Sequence, residues 1–254
     1  MKRKTILLLL LAVVCSLAAQ AQRPEADQVK TKSGLVSLQP IQHGSVALSW
    51  NNKTIFVDPY GGEAGYAGLP APDLILITDI HGDHMDLKTL EALNTEKAQI
   101  VAPQAVAEKL PANLKNKVTV LANGATTTRA GVQIRAVPMY NLPETADSKH
   151  PKGRGNGYIL NFDGTNIYLS GDTEDIPEMR NLKNIKGAFV CMNLPFTMDV
   201  EQAANAVLAF KPEIVYPYHY RGQHELSDVN EFKKLVRNGN SEIEVRLREW
   251  YPEY

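Results

Sequence analysis

Short apolar runs bounded by turn residues recur along this chain and divide it into two stretches, each with strand signals first and helix signals after. In the first stretch, 45–48 and 54–57 read as strands joined through the Asn51-Asn52 turn, a hairpin that ends on Asp58-Pro59. Residues 61–72, rich in Gly, Ala and Pro, read as a loop able to line a cleft. The uninterrupted run Leu74-Ile75-Leu76-Ile77, introduced by Pro72-Asp73, predicts a buried strand. Asp86 is placed to cap a helix over 87–94, and short strand and helix signals then alternate to about residue 121. In the second stretch, a strand from 132 to 137 leads into a long loop, 138–156. A hairpin follows about the Asp163-Gly164 turn, 158–162 with 167–169, and then a strand at 187–191. Helices are expected over 200–210 and 229–236, with a strand at 214–216 between them and an alternating edge strand at 243–247.

A faint internal repeat supports two matching halves. Pro72-Asp73-Leu74-Ile75 followed by Asp79 matches Pro212-Glu213-Ile214-Val215 followed by His219, an offset of 140 residues, and the hairpin tails ending at Asp58 and Asp172 look alike. Two such halves facing each other predict an αββα sandwich with both sets of loops along one edge.

The chemistry gathers where the buried strand ends. In Ile77-Thr78-Asp79-Ile80-His81-Gly82-Asp83-His84, alternation of an extended backbone puts 79, 81 and 83 on one side, and Gly82 is expected to let the chain turn so that His84 joins them. Two imidazoles and two carboxylates within six residues suit Zn²⁺, Mn²⁺ or Fe, because without a cation the carboxylates would repel.

That pattern resembles the His-x-His-x-Asp-His signature of the metallo-β-lactamase-fold hydrolases, with Asp79 where the family usually has its first His. Gly171-Asp172-Thr173, the His in Lys149-His150-Pro151-Lys152-Gly153, and Pro217-Tyr218-His219-Tyr220 follow in the family's order. The resemblance spans roughly residues 35–250 and implies an α/β (α+β) fold, a four-layer αββα sandwich. It implies that His81 and His150 hold one metal, that Asp83, His84 and His219 hold the second, and that Asp172 bridges them, with Asp83 and Asp172 as the catalytic carboxylates. The implied reaction is hydrolysis of an ester, lactone or phosphoester by a bridging hydroxide on two metals, most simply Zn²⁺. Asp79 makes the first site harder and more anionic, which brings Mn²⁺ or Fe into range. Asp172 stands where the zinc β-lactamases use Cys, which disfavours antibiotic hydrolysis. Position 81 is His where di-iron oxygen reductases carry Glu, and no flavodoxin follows, which disfavours a redox role. Asp58 resembles the family's Asp that orients a ligand His, or is an ordinary turn Asp at a strand end. His43-Gly44 resembles a Gly-His element of some members, and His43 is read as structural. A non-catalytic exported metal- or ligand-binding domain of the same fold is the alternative.

Charge and length then narrow the partners. Residues 1–21 carry a basic Lys2-Arg3-Lys4, an apolar stretch from Ile6 to Ala19 and a small-x-small Ala19-Gln20-Ala21, the pattern of a secretory signal. The apolar stretch falls short of the roughly 20 residues that span a bilayer, so no stable membrane anchor and a periplasmic or secreted address are expected. Removal of the signal takes three of the 27 basic residues and none of the 28 acidic ones, leaving a net charge of −4 that argues against nucleic acid. The remainder divides into a flexible lead-in, 22–34, and one hydrolase domain, 35–254. Cys191 is then the one cysteine left and reads as a small buried hydrophobe. Lys149, Lys152 and Arg154 around His150, with Arg221 beside His219, mark a small anionic substrate, with Lys152, Arg154 and Arg221 as its binding residues.

Overall fold

A computed structural model describes residues 23, 25–145 and 147–252, so the expected signal over 1–21 lies outside the described residues. The first sheet holds β1 (Asp27–Thr31), β2 (Gly34–Pro40), β3 (Val46–Trp50), β4 (Lys53–Val57), β5 (Leu74–Leu76), β6 (Gln99–Ala102) and β7 (Val118–Val120), side by side in chain order. The second holds β8 (Thr126–Arg129), β9 (Val132–Met139), β10 (Gly155–Phe162), β11 (Thr165–Leu169), β12 (Ile185–Cys191), β13 (Ile214–Tyr218) and β14 (Glu244–Val245), again in chain order. Helices α1 (Leu87–Ala92), α2 (Gln104–Lys109) and α3 (Ala112–Lys115) belong to the first half, and α4 (Pro177–Arg180), α5 (Val200–Phe210) and α6 (Val229–Gly239) to the second.

In both sheets the first four strands pair antiparallel and the last three parallel. The halves are therefore the same motif used twice, as the αββα expectation requires. Strand order also decides which repeat is real. β4 and β11 both stand fourth, so the likeness of the tails ending at Asp58 and Asp172 is structural. The 140-residue match is not: it pairs β5, fifth in its sheet, with β13, sixth in the other. Both are buried parallel strands entered from a surface turn, and that common environment explains the likeness.

Alternation along each strand sorts the layers. Ile55, Val57, Leu74 and Leu76 face the other sheet and share one core with Tyr158, Leu160, Phe189 and Tyr216. Phe56, Ile75, Ile77 and Ile100 face outward, under Leu90, Val106, Leu110 and Leu114 of the first helical layer. With both faces covered, β5 has no polar position, which is why it reads as a continuous apolar run. On the other side, Phe210 of α5 and Phe232 of α6 join the sandwich core, and Asp199 caps α5 through a capping box with Gln202.

Three expectations change. Residues 27–31 are not a flexible lead-in: β1 pairs with β2 in register from Asp27↔Leu38 to Thr31↔Gly34. Only Val29 of that strand is apolar and buried, so an edge strand with one core residue reads as polar chain. β9 and β10 run further than expected, which shortens the long loop to 140–154. The 243–247 strand is β14 alone, two residues at the sheet edge. Among the described residues no helix is long and apolar enough to cross a membrane.

Candidate metal centre

Beyond β5 the chain is fastened before it turns. Asp58, at the exit of β4, accepts hydrogen bonds from Thr78 N (2.7 Å) and Thr78 Oγ1 (2.6 Å). From the other sheet, Tyr158 Oη donates to Ile77 O (2.8 Å) and Asn156 N to Thr78 O (2.9 Å). The chain then folds back at once, since His84 N and Met85 N both donate to His81 O. Extended alternation therefore ends before His81, contrary to the sequence reading. Gly82 is not what permits the turn, for it has no positive φ and open space where a Cβ would stand.

Five of the six histidines meet at this edge, all but His224. Asp79, His81 and His150 bring one donor atom each within 4.8 Å of one another, and so do His84, Asp172 and His219, and His43, Asp83 and His219. Asp172 joins the groups. Its Oδ2 lies 3.2 Å from His150 Nε2 and 3.4 Å from His84 Nε2, and its Oδ1 lies 3.4 Å from His219 Nε2. Asp83 Oδ2 lies 3.3 Å from His219 Nε2 and 3.2 Å from His43 Nε2.

The rings are aimed from behind. Asp58 Oδ2 holds His84 Nδ1 at 2.8 Å, which leaves Nε2 toward Asp172, and Asn141 Oδ1 lies 3.2 Å from His150 Nδ1 with the same result. Of the two sequence readings of Asp58, the orienting one holds. Gly44 is required for closeness: a Cβ there would stand 2.8 Å from His219 Cδ2. His43 leans on the His219 ring at 3.9 Å between centroids, and Tyr251 Oη holds its Nδ1 at 3.1 Å.

Charge at the centre is tightly coupled. Burial alone would raise the Asp172 carboxyl, but the His219 and His84 charges outweigh it and hold it well below the usual carboxylate range. Burial would lower His84, and Asp172, Asp83 and Asp58 instead push it well above the usual imidazole value. His43 goes the other way, down to about 4, through burial and the neighbouring His219. His150 Nε2 and Asp172 Oδ1 are buried and make no hydrogen bond, although they lie close to partners. His84 Nε2, His150 Nε2 and His219 Nε2 all turned on the Asp172 carboxylate, with His150 Nε2 and Asp172 Oδ1 buried and left without a hydrogen bond, fit a divalent cation.

A cavity of about 280 Å³ opens on the centre, lined by His81, Asp83, Lys149, His150, Asp172 and Phe196 among others. A larger hollow of about 720 Å³ near Pro195 and His224 touches none of the donors. The cations expected to bind substrate divide. Arg154 grips Asp79 instead, Nε to Oδ1 at 3.0 Å and Nη2 to Oδ2 at 2.7 Å. Lys152 turns to Glu144 (3.1 Å) and Glu178 (3.4 Å), because those acids are its nearest opposite charges. Arg221 lies over the Tyr251 ring at 4.3 Å and borders a separate hollow beside His43. Lys149, over Phe196, is the cation of the loop that lines the metal-side cavity. Gly44 carries a sequence signal, the His43-Gly44 element, whereas nothing local marks Asn141.

Comparison with known proteins agrees with this geometry. The family model for the β-lactamase superfamily domain matches residues 37–219. A metal-dependent hydrolase of Thermococcus onnurineus is 36% identical over 194 residues, 73% of this chain and 85% of its own. Among solved structures, a candidate metal-dependent hydrolase from Parabacteroides distasonis superposes with a TM-score of 0.80 at 43% identity, over 89% of this chain and 99% of that one. A metallo hydrolase from the archaeon Ignicoccus hospitalis gives 0.71 at 26% identity, over 86% and 96%. With its paired sheets, its ordered donors and relatives of nearly full length, this chain belongs to the β-lactamase superfamily, as a metal-dependent hydrolase of the metallo-β-lactamase fold.

Proposed function

We propose that the chain hydrolyses an ester, lactone or phosphoester of a small anionic molecule, and that it does so in the periplasm or outside the cell. The observation that carries the reaction class is Asp172, whose two oxygens face His150, His84 and His219 while one of them makes no hydrogen bond. A divalent ion held by His84, Asp172 and His219, Zn²⁺ by donor type with Mn²⁺ or Fe as competitors, would supply an acidified water and a positive charge for the substrate oxygen.

The chain's own residues do the rest. Asp58 and Asn141 keep His84 and His150 turned to Asp172, so the donors do not have to be ordered when substrate arrives. Asp83 reaches the same space from the open side, one-third exposed, where its carboxylate can accept a hydrogen bond from the reacting water and orient it. Lys149 lines the cavity and offers its ammonium to a carboxylate or phosphate of the substrate. This supports an anionic substrate, with Lys149 in the role first given to Lys152 and Arg154. The expectation of a second ion rests on the Asp79, His81 and His150 group.

The test is turnover of an ester, lactone and phosphodiester panel by protein stripped with a chelator and then reloaded with Zn²⁺, Mn²⁺ or Fe²⁺. Activity should return with the ion and be faster on the anionic member of each pair. Turnover that survives stripping, or that favours neutral substrates, would count against the proposal.

A further inference from the structure

The Asp79, His81 and His150 group differs from its neighbour in one respect: a side chain already holds a positive charge there. Asp79 is fully buried, and both of its oxygens are taken by the Arg154 fork. His81 Nδ1 lies 2.9 Å from Asp79 Oδ2, so the proton on that nitrogen is committed to the carboxylate. The remaining lone pair, on Nε2, meets Arg154 Nη2 at 3.4 Å. The same Nη2 donates to Lys149 O at 2.7 Å, which fixes the guanidinium in place.

Arg154 is carried there by the strand that follows it. Gly155 opens β10 so close to the chain beyond β5 that a Cβ would stand 2.9 Å from Thr78 O and 2.4 Å from Met139 Cε. Only glycine allows that approach, and the next residue, Asn156, bonds Thr78 O directly. Arg154 is thus set against Asp79 by a sheet-to-sheet contact. Among the described residues no Lys or Arg makes an ion pair with Asp172, whose partners are His84, His150 and His219.

We propose that Arg154, clamped on Asp79, takes the place of a cation at the first position, so that the chain holds a single divalent ion, at His84, Asp172 and His219. The proposal rests on the metal-dependent reading above and specifies it. An ion at the first position would need the Asp79 oxygens that the guanidinium uses, and would lie against a fixed positive charge. A permanently charged planar fork suits a carboxylate better than an exchangeable ion does, and it leaves His150 and His81 free to face the substrate.

The experiment is an ion count on the full chain. Protein stripped with a chelator is loaded with excess Zn²⁺, exchanged into metal-free buffer and weighed by native mass spectrometry, with Co²⁺ absorption as a second readout. One ion per chain is expected, retained by His81→Ala and lost by His219→Ala. The double variant Asp79→His with Arg154→Gln, which leaves no charge buried alone, should bind two. Two ions on the unaltered chain, loss on His81→Ala with retention on His219→Ala, or a double variant still at one would each overturn the proposal while leaving a metal-dependent hydrolase in place. No ion on the unaltered chain would instead refute the metal reading itself.

Discussion

Replacing Asp58 by Ala separates the orientation of a donor from its presence. The carboxylate is 1% exposed and accepts from Thr78 N, Thr78 Oγ1 and His84 Nδ1 at 2.7, 2.6 and 2.8 Å. Thr78 Oγ1 and His84 Nδ1 lie 3.0 Å apart and can bond each other once it is gone, so Thr78 N–H is the donor left buried and unpaired. One orphaned donor costs about 1–3 kcal/mol. With the lost packing of the side chain, a total of about 2–4 kcal/mol follows, a fall in Tm of roughly 5–12 °C for a chain of this size. The His84 ring, tethered to Thr78 instead, loses its aim at Asp172, and removal of such an orienting partner weakens metal affinity about 10–100-fold. Thermal unfolding in chelator reads the first quantity and Zn²⁺ competition against a chromophoric chelator reads the second. Asp58→Asn keeps an acceptor for Thr78 N–H but not the charge, so it should recover most of the stability and little of the affinity. A folded Asp58→Ala protein with unchanged Zn²⁺ affinity would refute the orienting role.

Lys149→Ala should raise KM for a carboxylated or phosphorylated substrate on the order of 10-fold, with ion content unchanged, whereas Lys152→Ala, already paired with Glu144 and Glu178, should change it little. Burial alone would raise the Asp27 carboxyl, but Gln28 N–H and the Arg248 and Arg246 guanidinium groups hold it below its ordinary value of 3.8. A depressed carboxyl stabilises the fold above its unfolded value and loses that contribution as pH falls through the folded one, so hydrogen-exchange protection of β1 should fade below about pH 4. Asp27→Asn should abolish that pH dependence, and protection that fades equally in the variant would contradict it. Intact mass of protein from its native host should begin at Gln22, and a full-length species would contradict export.

Strand and helix signals placed β3, β4, β5, β10, β11, α5 and α6 because each carries its own periodicity or turn chemistry. β1 escaped because its stability comes from partners far along the chain: β2, and the Arg246 and Arg248 groups on Asp27. At the centre, all seven expected ligands lie together because metal chemistry restricts donors to residue types that a sequence displays. What those donors bond in addition is not displayed. Nothing local sets Arg154 on Asp79 in preference to a substrate, since that pairing depends on how closely Gly155 passes Thr78. Asn141 is equally silent, for its role exists only through the fold of the loop that returns His150 to it.

The most direct test of the central claim is ion-dependent turnover measured on the unaltered chain and on Asp172→Ala side by side. Asp172 is the group common to His84, His150 and His219, so the account predicts that the unaltered chain loses hydrolysis on chelation and regains it with Zn²⁺, Mn²⁺ or Fe²⁺. Asp172→Ala should stay inactive at every ion concentration that restores the unaltered chain. Equal turnover of the two proteins, or hydrolysis indifferent to the ion, would contradict it.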